Sequence, residues 1–261
     1  TESRLGMWLV SLVIASQSQK TIQKEIENYN PKTIISSYYF SKVLENLNQI
    51  YNFKSLTIVS DWFTPHPIWF NSKKANYLVF SKQAKQIAVN FGCKNTQVLD
   101  PYWKLDQGND DFKVNNHKNQ VLILGGGQGL PGAEKIIQNL VAKTQSISYI
   151  LVCGSNQQLK IKTEKLKTKL GLNNLQIYGF RNDIPRLIKT SKLVITKAGP
   201  NTIMEVLSLR KPILITSYIW KQELGNKDFV VKKRYGAYEP NSNRLEMLVR
   251  KILKGEIKFN T

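Results

Sequence analysis

The sequence predicts an α/β protein built on parallel sheets, and three observations carry that expectation. Short apolar runs recur along the chain and alternate with amphipathic stretches of helical length. The runs in the second half, such as Val121-Leu122-Ile123-Leu124 and Tyr149-Ile150-Leu151-Val152-Cys153, are apolar at consecutive positions, as in strands covered on both faces. One of them leads into Gly125-Gly126-Gly127-Gln128-Gly129-Leu130-Pro131-Gly132 and then a helical pattern, a strand–glycine turn–helix unit.

Taken in order, a helical stretch over 5–29 precedes a strand at 32–37, a helix at 41–51 and a strand at 55–60. A loop rich in proline and aromatic residues follows, then a strand at 77–80, a helix at 82–91 and a short strand at 96–99. Residues 104–119 are rich in Asp, Asn, Gln and Lys and read as a linker between a first domain, 1–103, and a second, 120–261. In the second domain strands are expected near 120–125, 148–154, 174–178, 192–196 and 212–216. Helices are expected near 131–144, 157–170, 183–190, 201–209, 225–234 and 242–254. The first of these helices is expected to open at Pro131, whose missing N–H suits a first helical position.

The chain has 38 Lys and Arg against 18 Asp and Glu, a formal charge of +20. That balance favours an anionic partner, although much of the lysine is equally expected on an ordinary solvated surface. No zinc-ligand spacing or RNA-binding motif is present, so nucleic acid is not expected as a partner, and no metal site is expected. The two cysteines, Cys93 and Cys153, make no disulfide framework and read as small core residues of a reducing compartment. Leu5–Ala15 is the longest apolar run, too short to span a bilayer and lacking a cleavage site; a buried or membrane-touching helix is expected there.

In parallel sheets ligands bind beyond the carboxyl ends of the strands, so the loops there carry the chemistry. The glycine loop after residue 124 suits a phosphate, because glycine admits close backbone approach and a helix N-terminus favours an anion. Gly127-x-Gly129-x-x-Gly132 matches the dinucleotide fingerprint, but no acidic residue ends the second strand at Ser155-Asn156-Gln157, and no Gly-Lys-Ser/Thr follows the glycines. A nucleotide bound by neither of those two routes is expected. The loop after 196 holds Lys197-Ala198-Gly199-Pro200-Asn201-Thr202-Ile203-Met204-Glu205. Thr202-x-x-Glu205 reads either as a capping box or as a ligand site with Thr202 on phosphate and Glu205 on a ribose diol. After 216, Gln222, Glu223 and Asn226 offer donors and acceptors suited to sugar hydroxyls, or simply open another helix. After 60, Asp61, His66, Pro67 and Trp69 lie in an aromatic loop, with His66 the candidate acid–base group, or a structural histidine.

Taken together, Asp61…His66-Pro67-x-Trp69-Phe70, Gly125–Gly129, Gly179-Phe180, Ile195-Thr196-Lys197-Ala198-Gly199-Pro200-x-Thr202-x-x-Glu205 and Gln222-Glu223-x-Gly225-Asn226 resemble the two-domain GT-B glycosyltransferases. The resemblance is to the monogalactosyl- and processive glucosyl-diacylglycerol synthases of glycosyltransferase family 28, and more distantly to the lipid II-forming N-acetylglucosaminyltransferases. It implies two Rossmann-like domains facing a cleft, the first of them truncated, and no cofactor beyond a UDP-sugar donor substrate. It also implies an inverting, metal-independent transfer of hexose to a lipid acceptor such as diacylglycerol. Gly126, Gly127 and Gln128 would face the diphosphate, and Gly179 and Phe180 the uracil. Gly199, Pro200 and Thr202 would lie at phosphate, Glu205 at the ribose, and Gln222, Glu223 and Asn226 near the hexose or diphosphate. Asp61, Pro67 and Trp69 would lie on the acceptor side. The expected location is peripheral, at the anionic cytoplasmic face of the cell membrane.

The chain departs from that pattern. The family's first strand and its histidine-bearing glycine loop are not found, and Thr1 is expected to follow them. Ser36-Ser37-Tyr38-Tyr39 replaces a common Ser-Val-His-Pro, and Asn201 replaces a common glycine. The alternatives are a catalytically impaired nucleotide-sugar-binding remnant, or a transferase acting on a polyprenyl-linked or soluble acceptor.

Overall fold

The computed structural model describes residues 18–99 and 119–261, which fall in two compact units, Thr1–Tyr102 and Trp103–Thr261. The expected apolar helix over Leu5–Ala15 and nearly all of the expected linker lie outside the described residues.

In the first unit a helix over 18–29 (α1) precedes β1 (Thr33–Ser36), α2 (Ser41–Tyr51), β2 (Lys54–Ile58), β3 (Tyr77–Val79), α3 (Lys82–Asn90) and β4 (Thr96–Val98). The strands form a parallel sheet in the order β1-β2-β3-β4. Val43, Leu44 and Leu47 put one apolar stripe of α2 into a core with Ile26 and Phe53. α2 stops at Asn52, which takes the left-handed conformation. Ser81 starts α3 by accepting the Ala84 N–H at 3.0 Å. Ala84 and Ala88 then pack with Val59, Trp69, Phe70, Tyr77, Val79 and Cys93.

The second unit runs β5 (Gln120–Leu124), α4 (Ala133–Asn139), β6 (Ser148–Val152), α5 (Gln157–Leu170), β7 (Leu175–Tyr178), α6 (Ile184–Thr190), β8 (Leu193–Lys197), α7 (Pro200–Ser208), β9 (Ile213–Ser217), α8 (Leu224–Lys232), β10 (Gly236–Tyr238) and α9 (Leu245–Leu253). All six strands are parallel, in the order β10-β9-β8-β5-β6-β7. The strands' two-residue period separates two cores. Val121, Ile123, Leu151, Ile195 and Leu214 meet α4 and α9, while Leu122, Val152, Val194, Ile213 and Ile215 meet α6, α7 and α8. Both faces are therefore covered, and every residue of β5 is buried. The chain leaves β5 toward β6 and β7 on one side and returns to β8 on the other, so the β5/β8 boundary is the topological switch point, where ligands bind in such sheets.

Two local expectations are corrected. α4 opens at Ala133 rather than at Pro131, because Gly132 takes a left-handed φ of 76° and interrupts the helical geometry there. That helix also ends at Asn139, and Val141–Lys143 forms a separate 3-10 turn. β10 was not foreseen: its three residues are too few to show a period, and Gly236 is needed because a Cβ there would collide with Ile213 O. Both cysteines are buried and free, and burial pushes both thiols up from their ordinary value.

Candidate functional site

A pocket of ≈ 690 Å³ opens at the switch point of the second unit. One wall is the loop after β5, residues Gly125–Gly132; the other is the β8–α7 connection with Lys197, Gly199, Pro200, Asn201 and Thr202. Asn156, Leu159, Glu134 and Ile219 complete it.

The glycine loop is shaped by its neighbour, the β6–α5 turn. The Ser155 N–H and hydroxyl both donate to Gly127 O, at 2.7 and 2.8 Å, and Asn156 Nδ2 donates to Gln128 O at 3.2 Å. Two of the glycines make this approach possible: a Cβ on Gly154 would strike Gly127 O, and one on Gly125 would strike Gly129 O. Gly126 and Gly127 differ. A Cβ on either meets nothing within 4 Å, so the protein itself leaves the space beside them open. The loop is thus an exposed backbone cradle with room beside Gly126 and Gly127, the form in which glycine-rich turns receive phosphate oxygens.

Opposite the cradle, α7 begins with Gly199 as an extended N-cap that has no side-chain cap bond, and Pro200 in its first turn. Thr202 therefore lies inside the helix, at its third position, and the capping-box reading of Thr202-x-x-Glu205 is corrected: the helix starts three residues too early for it. Thr202 lines the pocket instead. Glu205 lies a turn further on, half-buried, and burial raises its carboxyl above the ordinary value. It is not among the residues that line the pocket.

The other expected donor residues are spread around this centre. Gly179 lies against the β6–α5 turn, 3.7 Å in Cβ position from Gly154 O. Phe180, 69% exposed, stands beside Arg181, whose bidentate pair with Asp183 at 2.7 Å fixes that turn. Gln222 is exposed. Glu223 is buried: one carboxylate oxygen pairs with Lys197 Nζ, and the other accepts the Ile219 N–H at 2.9 Å. Asn226 is buried and donates to Ala198 O at 2.9 Å, which ties α8 to the β8–α7 turn. Lys197, Asn156 and Ile219 were missed as site residues. Lys197 lies within the Ile195–Glu205 motif at a strand's carboxyl end, and that placement is the signal for it.

In the first unit, Asp61 is buried and its carboxylate accepts the Trp69 indole N–H at 2.8 Å. Pro67 opens a 3-10 turn, Pro67–Phe70, which His66 caps by accepting the Ile68 N–H at Nδ1, 3.2 Å away. While that bond holds, the neutral ring carries its proton on Nε2 and is set to donate there. Asp61, His66, Pro67 and Trp69 therefore share the work of holding one aromatic loop. Among the described residues no group of three or more His, Cys, Asp or Glu could hold a metal ion.

The glycosyltransferase family 28 C-terminal domain matches residues 120–258, and the monogalactosyldiacylglycerol synthase family matches residues 1–100. The chain is 24% identical over 253 residues to monogalactosyldiacylglycerol synthase 1 of Arabidopsis thaliana, covering 88% of this chain and 47% of that protein. It is 23% identical over 257 residues to the processive diacylglycerol beta-glucosyltransferase of Bacillus mycoides, covering 94% and 66%. The chain thus spans about half the length of the plant relatives it matches. Among solved structures it resembles MurG of Acinetobacter baumannii, with a TM-score of 0.61 at 15% identity over 94% of this chain and 69% of that one. It also resembles Anabaena Alr3699/HepE in complex with UDP-glucose, with a TM-score of 0.57 at 16% identity over 91% and 72%. These likenesses agree with two parallel α/β units of the GT-B class.

Proposed function

The chain belongs to glycosyltransferase family 28, and we propose that it transfers a hexose from a UDP-sugar to a lipid acceptor, with diacylglycerol the acceptor its relatives' names suggest. The observation that carries this reading is the open cradle at Gly126 and Gly127 facing the N-terminus of α7 across one pocket.

In this reading the diphosphate lies in the cradle, with Gln128 at its edge and Thr202 and the N–H groups of α7 opposite. Glu205 accepts the ribose hydroxyls, and the exposed ring of Phe180 beside Gly179 offers a face to the uracil. Gln222 and Glu223 meet the hexose, and Asn226 holds the turn they depend on. The transfer is a single displacement that inverts the sugar's anomeric carbon and needs no metal. The acceptor oxygen gives its proton to a base and forms the new bond to that carbon. The bond to the β-phosphate oxygen breaks, and its electron pair leaves with UDP. The departing charge is stabilised by pre-aligned N–H groups and the helix dipole. On the acceptor side, Asp61 and Trp69 hold the loop that presents His66 and Pro67. The protein works peripherally at the anionic cytoplasmic face of a membrane; no described helix is long and apolar enough to cross one.

Labelled hexose supplied as UDP-glucose or UDP-galactose, with diacylglycerol vesicles, tests the reaction. Label in the lipid phase supports it. Tight NAD binding with no UDP binding would refute it, and UDP binding with no transfer by the full-length protein would leave a nucleotide-sugar-binding module.

A further inference from the structure

Resting on the sugar-nucleotide reading of the pocket, we propose that Lys197 is the cation that meets the bound diphosphate, and that Glu223 holds Lys197 ready until the ligand takes it over. Lys197 ends β8 and lines the pocket; its side chain is 25% exposed, whereas that of its partner Glu223 is 6% exposed. Glu223 divides its two carboxylate oxygens between Lys197 Nζ and the Ile219 N–H, and Ile219 lines the pocket as well. One buried carboxylate thus sets the position of two pocket residues that come from different strands' ends.

The surroundings explain why the lysine is there. A Cβ on Gly199 would lie 3.4 Å from Lys197 Nζ and 3.8 Å from Glu223 Oε1, so the ion pair sits beside the N-cap of the nine-residue helix α7. A cation at the positive end of a helix opposes the macrodipole preference. Local rules are broken in this way where a site is shaped for its ligand rather than for stability. Two positive features converge on the pocket, and the buried Glu223 carboxylate pairs with one of them, the Lys197 ammonium.

A diphosphate carries more charge than one carboxylate and attracts the same ammonium group more strongly. When Lys197 turns to it, Glu223 keeps the Ile219 N–H and its other oxygen becomes free to accept a hydroxyl. In a sugar nucleotide that hydroxyl comes from the hexose of the same ligand. Binding of the charged part thereby prepares recognition of the neutral part.

Calorimetry of uridine, UDP and UDP-glucose with the full-length protein tests this exchange. Lys197→Met is expected to weaken UDP by about tenfold while leaving uridine within about twofold, and Lys197→Arg to restore most of the loss. Because Lys197→Met leaves a buried carboxylate without its cation, the Lys197→Met/Glu223→Gln double variant must show the same UDP loss with unfolding unchanged. Glu223→Gln alone is expected to bind UDP at least as tightly as the parent and to weaken UDP-glucose relative to UDP. UDP affinity unchanged in a folded Lys197→Met protein overturns the proposal, as does an equal loss of UDP binding in Glu223→Gln. A parent protein that fails to bind UDP at all overturns the sugar-nucleotide reading, and the exchange with it.

Discussion

Glu205 sets stability against binding within one side chain. Burial raises its carboxyl from the ordinary value of 4.5, so the folded protein holds this proton more tightly than the unfolded chain. Stability therefore falls as pH rises from that ordinary value through the raised one. Glu205→Gln removes the buried charge. Thermal scans should show a melting temperature higher by about 1–3 °C at pH 7, with the gain gone at pH 4. The same variant should bind UDP about tenfold more weakly, and an unchanged affinity would take Glu205 away from the ribose. His66 separates a cap from a catalyst. Asparagine is a strong capping residue, so His66→Asn should keep the Ile68 N–H satisfied and hold unfolding within about 0.5 kcal/mol of the parent. If the ring moves a proton during transfer, kcat should fall by ~10²-fold or more; a kcat within a few-fold would confine His66 to the loop. The residue types were readable in the sequence, but their partners were not. Nothing in the order of residues says that Glu223 faces Lys197, because that pair joins the end of β8 to the start of α8, 26 residues apart.

At the scale of elements, the glycine loop distinguishes glycines the fold requires from a glycine the ligand requires. Gly154 has a φ of 62° and its Cβ would collide with Gly127 O, so Gly154→Ala should lower stability by about 2–4 kcal/mol in denaturant unfolding. Gly127 has open space around it, so Gly127→Ala should leave stability within about 0.5 kcal/mol. It should nevertheless weaken UDP measurably, because the new methyl fills the cradle. Normal UDP binding by that variant would move the diphosphate elsewhere. The strand–glycine–helix unit was legible from composition and period, and most strands and helices fell where the apolar runs placed them. The start of α4 was not legible, because Pro131 satisfies a first helical position locally while the φ of Gly132 is set by how the loop packs. The Thr202-x-x-Glu205 pattern misled for a similar reason: Gly199 and Pro200 start α7 earlier, so the helix reaches Thr202 already formed.

For the whole molecule, the formal charge of +20 predicts a salt-sensitive attraction to anionic surfaces. Sedimentation with phosphatidylglycerol-rich vesicles should show binding that falls at least about tenfold as salt is raised from ~0.05 to ~0.5 M, where the screening length shrinks to a few ångströms. Binding indifferent to salt and to anionic lipid would remove the membrane role assigned to the charge. The sequence by itself determined the alternation of buried strands and covering helices, since periodicity and burial are properties of neighbouring residues. It also carried the motif order that marks the family. Only the tertiary structure decided which loops meet. The crossover from β7 to β8 brings the turn after residue 197 beside the turn after residue 124, and the packing of α8 buries Glu223 against Lys197. Those contacts join residues far apart in the chain, and they are fixed by strand order and side-chain packing rather than by any local pattern.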